Sequence, residues 1–292
     1  MAKLQTKIIF LNLNTSIKFK LSDAKNFVTL HFKTLKFSMR YFIKFSYNGT
    51  NYHGWQSQPN AISVQEVLNK ALSTILNCEI DCMGAGRTDT GVHAHEMYAH
   101  FDYNSEIDIE NSIHKLNSFL PKDIVVFDII QVHDDAHARF DAKKRTYEYH
   151  INTFKNVFSN EQSWYYHQKL DLNLMNQAAK TLFNHTNFQA FSKVNTDVNT
   201  FDCSIYEAFW TRGKAIQVAD KQEDNQIIFT ISADRFLRNM VRAIVGTLVY
   251  VGLGKITVQD FNEIIVSKNR NNAGFSVPAH GLYLTKIEYD YI

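Results

Sequence analysis

Apolar and polar residues alternate from Arg40 to Tyr47, putting Tyr41, Ile43, Phe45 and Tyr47 on one face and predicting a strand. The period then becomes helical. Val64, Val67, Leu68, Ala71, Leu72 and Ile75 form one stripe, opened by the capping pair Ser63 and Glu66 and stopped by Asn77. Ala94 to Phe101 reads as a strand. Asp108 caps a helix carrying Ile109, Ile113, Leu116 and Leu120, which Pro121 ends, and Ile124 to Val132 is a further strand. The same cadence returns with a strand over 143–151, a helix from about Asn173, and strands over 203–210 and 226–232 joined through a charged turn region, 212–225. A long helix over 235–250, a second capping pair at Thr257 and Asp260, and a strand over 282–289 complete the pattern.

Strand and helix alternating in this order is the signature of a split βαβ unit, an antiparallel sheet backed by helices. The chain therefore reads as α+β: two similar split-βαβ-like domains with antiparallel, mixed-order sheets flanked by helices, and an active-site cleft between them. The predicted domains are 39–145 and 146–292. Residues 1–38 mix lysines with short apolar runs and read as an N-terminal extension, with Met39 as the biological start. A short added strand is the competing reading of that stretch.

Between the first helix and the strand beginning near Ala94 lies Gly84-Ala-Gly-Arg-Thr-Asp-Thr-Gly-Val-His93. Three glycines within eight residues bracket an arginine and a carboxylate, which describes a bent backbone presenting Arg87 and Asp89 together. A turn bearing a surface ion pair is the plain alternative. The loop lacks the Lys-Ser/Thr ending of a phosphate loop and the spacing of a dinucleotide fingerprint.

Bulk composition adds boundaries rather than a function. The chain has 292 residues, 45% of them apolar, with a formal net charge of +2, so any nucleic-acid footprint must come from how its 31 basic residues are distributed. Arg235, Arg238 and Arg242 follow i, i+3, i+7 spacing on the predicted 235–250 helix and would make one basic stripe. Lys143, Lys144 and Arg145 make a second basic cluster. Cys78, Cys82 and Cys203 form neither a paired framework nor a zinc pattern, which fits a reducing cytoplasm. No run of eighteen apolar residues occurs, so no membrane helix is expected. His93 and His95 would share one strand face and His100 the other, an arrangement short of a third metal ligand; no metal is expected.

Gly86-Arg-Thr-Asp-Thr-Gly-Val-His-Ala94 resembles the catalytic motif of the bacterial tRNA pseudouridine synthase A family. Further segments resemble it in the same order: 47–56, containing His53, Trp55 and Gln56; Ala136-His-Ala-Arg-Phe140 with Arg145-Thr-Tyr147; Asn239-Met-Val-Arg242; and Pro278-Ala-His-Gly-Leu282. The resemblance runs from about Met39 onward. It implies isomerisation of uridine to pseudouridine in the tRNA anticodon stem-loop, at positions 38, 39 and 40, by a homodimer whose subunits together cradle one tRNA. The reaction breaks the N1–C1′ bond, turns the uracil and rejoins it through C5. It involves neither redox nor hydrolysis, so no cofactor is expected.

The resemblance makes Asp89 the catalytic aspartate, Arg242 its ion-pair partner and Tyr147 an active-site tyrosine that stacks on the target uracil. It gives Arg87 substrate engagement and places His53, Gln56, His93, Arg139, Arg145 and Arg238 along the RNA. Trp55 and Phe140 read equally well as packing residues. The chain departs from the family pattern at Asn48, at Glu96-Met97 and at Phe275, none of which coincides with Asp89, Tyr147 or Arg242. A non-catalytic RNA-binding module on the same fold is the alternative; it would not need Arg87, Asp89, Tyr147 and Arg242 together.

Overall fold

The computed structural model describes residues 17–20, 27–30, 38–194, 198–213 and 226–292. Met1–Phe37 and Ser38–Ile292 are separate compact units. In the first, β1 (Ile17–Lys20) and β2 (Phe27–Leu30) pair antiparallel, Ile17 opposite Leu30.

The second unit is a mixed α+β structure whose elements begin close to where the pattern puts them. β3 (Met39–Tyr47) leads to α1 (Val64–Leu76), then to the two-residue β4 (Met83–Gly84), β5 (His93–Tyr103), α2 (Ile109–Phe119) and β6 (Ile124–Val132). The second half contains β7 (Lys144–Asn152), β8 (Trp164–Tyr165), α3 (Leu172–Thr181), β9 (Ile205–Gly213), β10 (Gln226–Ala233), α4 (Met240–Gly252), α5 (Val258–Ser267) and β11 (Leu282–Glu288). Part of the expected 212–225 turn region lies outside the described residues.

Local chemistry sets the helix ends. The Ser63 hydroxyl accepts the Glu66 N–H at the start of α1, and Asn77 takes a left-handed conformation to end it. At α5 the reciprocal box is complete, Thr257 and Asp260 each accepting the other's backbone N–H. The stripe of α1 buries Val64, Leu68, Ala71 and Leu72, while Phe261 and Ile265 do the same for α5.

Two expectations change. First, the strands form one nine-stranded sheet, not two facing sheets. Its main order is β6-β3-β5-β11-β7-β10-β9, with β4 added on β5 and β8 on β7. β11 joins the halves: it runs parallel to β5, with Tyr283 opposite His93 and Leu284 opposite Ala94, and antiparallel to β7. Past the irregularity between Leu284 and Lys286, the Glu96 carboxylate accepts the Ile287 N–H at 2.9 Å and also meets Lys44 Nζ at 2.8 Å. The departure at Glu96 thus closes the seam where the backbone ladder stops.

Second, α4 begins at Met240, five residues later than expected. Asn239 sits at φ 69°, in the left-handed region, so the backbone turns sharply just before the helix. Arg235 and Arg238 precede the helix, and the predicted helical stripe of three arginines does not form.

Candidate active site

The glycine-bracketed loop is bent around the segment that follows β3. Its backbone lies so close to Gly54 that a Cβ there would stand 2.2 Å from the Thr88 carbonyl oxygen; Gly54 itself has φ +82°. Gly91, at φ +78°, turns the chain back towards β5 and donates its N–H to the Tyr52 carbonyl at 3.2 Å. Trp55 is buried beneath the loop, and the Tyr47 hydroxyl shares a 2.9 Å hydrogen bond with the Thr88 hydroxyl.

This scaffold presents Asp89 to α4. Arg242 Nη1 donates to Asp89 Oδ2 at 3.1 Å, and Arg242 Nε donates to the Val277 carbonyl at 2.8 Å, which fixes the plane of the guanidinium. The pair is partly exposed, Asp89 at 25% and Arg242 at 20%. Arg238 approaches the other oxygen, Nε to Oδ1 3.8 Å, from the turn before α4. One carboxylate oxygen is therefore hydrogen-bonded, while the other faces the more distant, exposed Arg238 guanidinium.

Tyr147 lies on β7 beside this pair, buried, with its ring edge-to-face against Phe236 at 5.1 Å. Burial pushes its phenol up to about 12; the Asp89 carboxylate adds to the rise and the Arg145 guanidinium opposes it. At neutral pH the hydroxyl is protonated, so the ring offers a flat apolar face and an O–H donor.

Arg145 departs from its expected substrate contact. It is buried, and its terminal nitrogens donate to four backbone carbonyls: Ala142 at 3.2 Å and Asp234 at 2.7 Å from Nη1, Ala85 at 2.9 Å and Arg139 at 2.6 Å from Nη2. One planar group thus ties the Asp89 loop to the 139–142 turn and to the segment leading into α4. His93 is likewise internal. Gly49 N–H donates to its Nδ1 at 3.0 Å, which places the ring proton on Nε2, 3.1 Å from the carbonyls of Glu161 and His280. Burial lowers its pKa and keeps it neutral, and its ring stacks on Tyr283 at 4.7 Å. The reason both differ from expectation is the same: their polar atoms are consumed by backbone.

The remaining candidates separate. Gln56 Nε2 donates to Gln65 Oε1 at 2.9 Å, bracing the loop segment against α1, whereas His53 is exposed. Arg139 is pulled down by burial and then by the charges of Arg87 and Arg235, so these three guanidiniums are neighbours. Among the described residues, none of the three has a carboxylate within ion-pair distance. The sequence concealed this cluster, because its members come from three segments. The lysines of the expected second basic cluster are ion-paired: Lys143 with Asp290 at 3.2 Å, and Lys144 with Glu207 at 3.3 Å and Glu288 at 3.8 Å.

An arginine-held carboxylate beside a buried tyrosine, rimmed by unpaired arginines, is an arrangement suited to a polyanionic substrate and to carboxylate chemistry upon it. Comparison with known proteins gives the particular family. The family model described as tRNA pseudouridine synthase matches residues 44–141 and 178–290, and the chain belongs to that family. It is 52% identical over 252 residues to the tRNA pseudouridine synthase A of Bacteroides fragilis, covering 86% of this chain and 96% of that protein. The Parabacteroides distasonis protein of the same name is 48% identical over 251 residues, with 86% and 96% covered. That of Thermoanaerobacter sp. is 43% identical over 250 residues, with 83% and 96% covered.

Proposed function

We propose that the protein isomerises uridine to pseudouridine in tRNA, with positions 38, 39 and 40 of the anticodon stem-loop as its targets, and that Asp89 initiates the reaction. The observation that carries this reading is the Asp89–Arg242 pair at 3.1 Å, set in a loop whose backbone packs closely on Gly54. Asp89 opens the N1–C1′ bond of a flipped uridine. Tyr147 packs against the released uracil while it turns. C5 then bonds to C1′, the C5 proton leaves to solvent and N1 gains one, so the atoms balance without an oxidant, a hydrolytic water or a cofactor. Tyr147 acts through its ring and neutral hydroxyl, since a phenol at about 12 supplies little phenolate at neutral pH.

Arg87, Arg139 and Arg235 hold phosphate, where unpaired guanidiniums bind without first breaking an internal ion pair, and Arg238 joins them from its longer contact with Asp89. Arg145 and His93 position the loop rather than touch RNA. We read the halves 39–145 and 146–292 as two related α+β units fused edge to edge through β11, and the working enzyme as a cytoplasmic homodimer. The shared strand–helix cadence supports the first of these readings. Among the described residues, no helix is long and apolar enough to cross a membrane. The test is C5-tritiated tRNA transcript incubated with metal-stripped protein. Stoichiometric tritium release at the three positions is expected, and its absence would defeat the proposal.

A further inference from the structure

Phe140 is mostly open to solvent. Its side chain is 75% exposed, whereas Trp55, the other aromatic of the motif segments with an open role, is 1% exposed. The turn that carries Phe140 is nonetheless closely organised. Asp141 Oδ2 accepts the His137 N–H at 2.6 Å, and His137 Nδ1 accepts the N–H groups of Arg139 at 3.1 Å and Phe140 at 3.3 Å. The Arg139 carbonyl is one of the four held by Arg145. Rigid backbone beneath an open aromatic ring leaves the exposed face unexplained by folding, because water contact with a phenyl face is unfavourable.

The location narrows what that face meets. Arg145 bonds residues 85, 139 and 234 through a single guanidinium, so Phe140 stands beside the loop of Asp89 and the approach to α4. Arg139 Cζ lies 5.7 Å from the Phe140 ring centre, and the His137 ring supports it from 4.3 Å. An aromatic face flanked by an arginine, among further arginines without carboxylate partners, matches a nucleobase attached to its phosphate.

We propose that Phe140, with Arg139 alongside, is a stacking platform for an unpaired nucleobase of the RNA other than the uridine being isomerised. The target base belongs against buried Tyr147 next to Asp89; Phe140 sits outside that enclosure and grips a neighbouring loop nucleotide. This rests on the reading of Asp89 as the initiating group, and the experiment separates the two. Enzyme-excess tritium release is measured on a stem-loop RNA, and on versions in which each unpaired loop nucleotide other than the target is made abasic. F140A should raise the half-saturating enzyme concentration about 5- to 100-fold, the range expected from one lost base–aromatic stack. The rate at saturation should change less than about threefold, and F140W should restore affinity. One abasic RNA should lose affinity for the parent protein yet bind F140A no worse than intact RNA does, which is the coupling expected of two direct partners. Unchanged half-saturation in F140A, or identical abasic penalties in both proteins, would overturn the proposal. So would a shift from dimer to monomer in sedimentation of F140A without RNA, which would make the ring's partner a second copy of the chain. Asp89→Asn run in parallel should abolish release at every concentration; residual turnover there would strike the assignment of Asp89 and leave the platform standing.

Discussion

Two arginines flank the Asp89 loop, and their surroundings could hardly differ more. Arg242 meets a carboxylate at 3.1 Å in a partly open cleft, while Arg145 is buried and meets only backbone carbonyls. A guanidinium has five donors in a fixed plane, which suits it both to a carboxylate and to a cluster of carbonyls. Which task it takes depends on what the fold brings to it. Arg242 faces the carboxylate proposed to initiate the reaction, so its loss should be read in turnover. Arg145 replaces hydrogen bonds that three converging segments cannot make with one another, so its loss should be read in stability.

The comparison is broken most directly by removing the carboxylate that distinguishes the two. Asp89→Asn keeps the loop's shape and removes the carboxylate proposed to react, so turnover should fall at least about a thousandfold, the scale on which enzymes lose an essential catalytic group. Melting should stay within about 2 °C and tRNA affinity within about threefold, since phosphate contacts lie elsewhere. Enzyme-excess tritium release beside filter binding checks this; loss of binding together with activity would make Asp89 structural. Next is Arg145→Ala, which strands four carbonyls in a buried site. Each buried carbonyl left without a donor costs about 1–3 kcal/mol, so the loss should reach several kcal/mol, or on the order of 10 °C in melting temperature for a unit of this size. Lysine should rescue little, because an ammonium cannot fan out to the same four oxygens.

Arg242→Ala sharpens the contrast from the other side. It should lower turnover about a hundredfold while costing less stability than Arg145→Ala, about 1–3 kcal/mol for a partly exposed charged hydrogen bond. Equal melting shifts for the two variants, by calorimetry, would erase the distinction between the two arginines. Smaller still, Arg87→Ala should leave melting unchanged and reduce the slope of log affinity against log salt by about 1.

The last effect is on pH. Burial brings the buried His100 imidazole down to about 4, with His137 and Arg40 adding to the depression and Asp102 and Asp141 opposing it. Its Nδ1 accepts the Ala138 N–H at 3.1 Å, a bond that requires the neutral ring. Below an unfolded pKa near 6.5 the unfolded chain binds a proton that the folded chain refuses. The contribution is therefore full above about pH 6.5 and is lost as pH falls towards 4. A melting series across that window should be shallower in His100→Gln than in the parent; parallel curves would remove this linkage.

How much of this was legible in the sequence follows from range. Caps such as Ser63, Asn77 and Thr257 act within four residues, and the strands and helices they bound appear in the alternation of the chain itself. The Asp89–Arg242 pair spans 153 positions, and only the resemblance of both motifs to one family anticipated it. The tasks of Arg145 and His93 were hidden because their partners are backbone groups, which leave no trace in residue identity. Asn239 misled for a different reason. The apolar spacing of Phe236, Leu237 and Met240 continues the helical period backwards through a residue whose backbone is left-handed. The single sheet was also hidden, since alternation marks a strand without naming its neighbours.

β11 is the last described strand in chain order, yet it lies at the middle of the sheet. During synthesis on the ribosome, β3, β5 and β6 can pair long before β11 exists. The edge of β5 then waits with unanswered backbone groups, an edge of the kind that invites wrong partners. Closure of that edge and alignment of the two halves of the site become one late event. A nascent chain should be inert until the final strand emerges, and chaperone occupancy should be concentrated in the interval before it does.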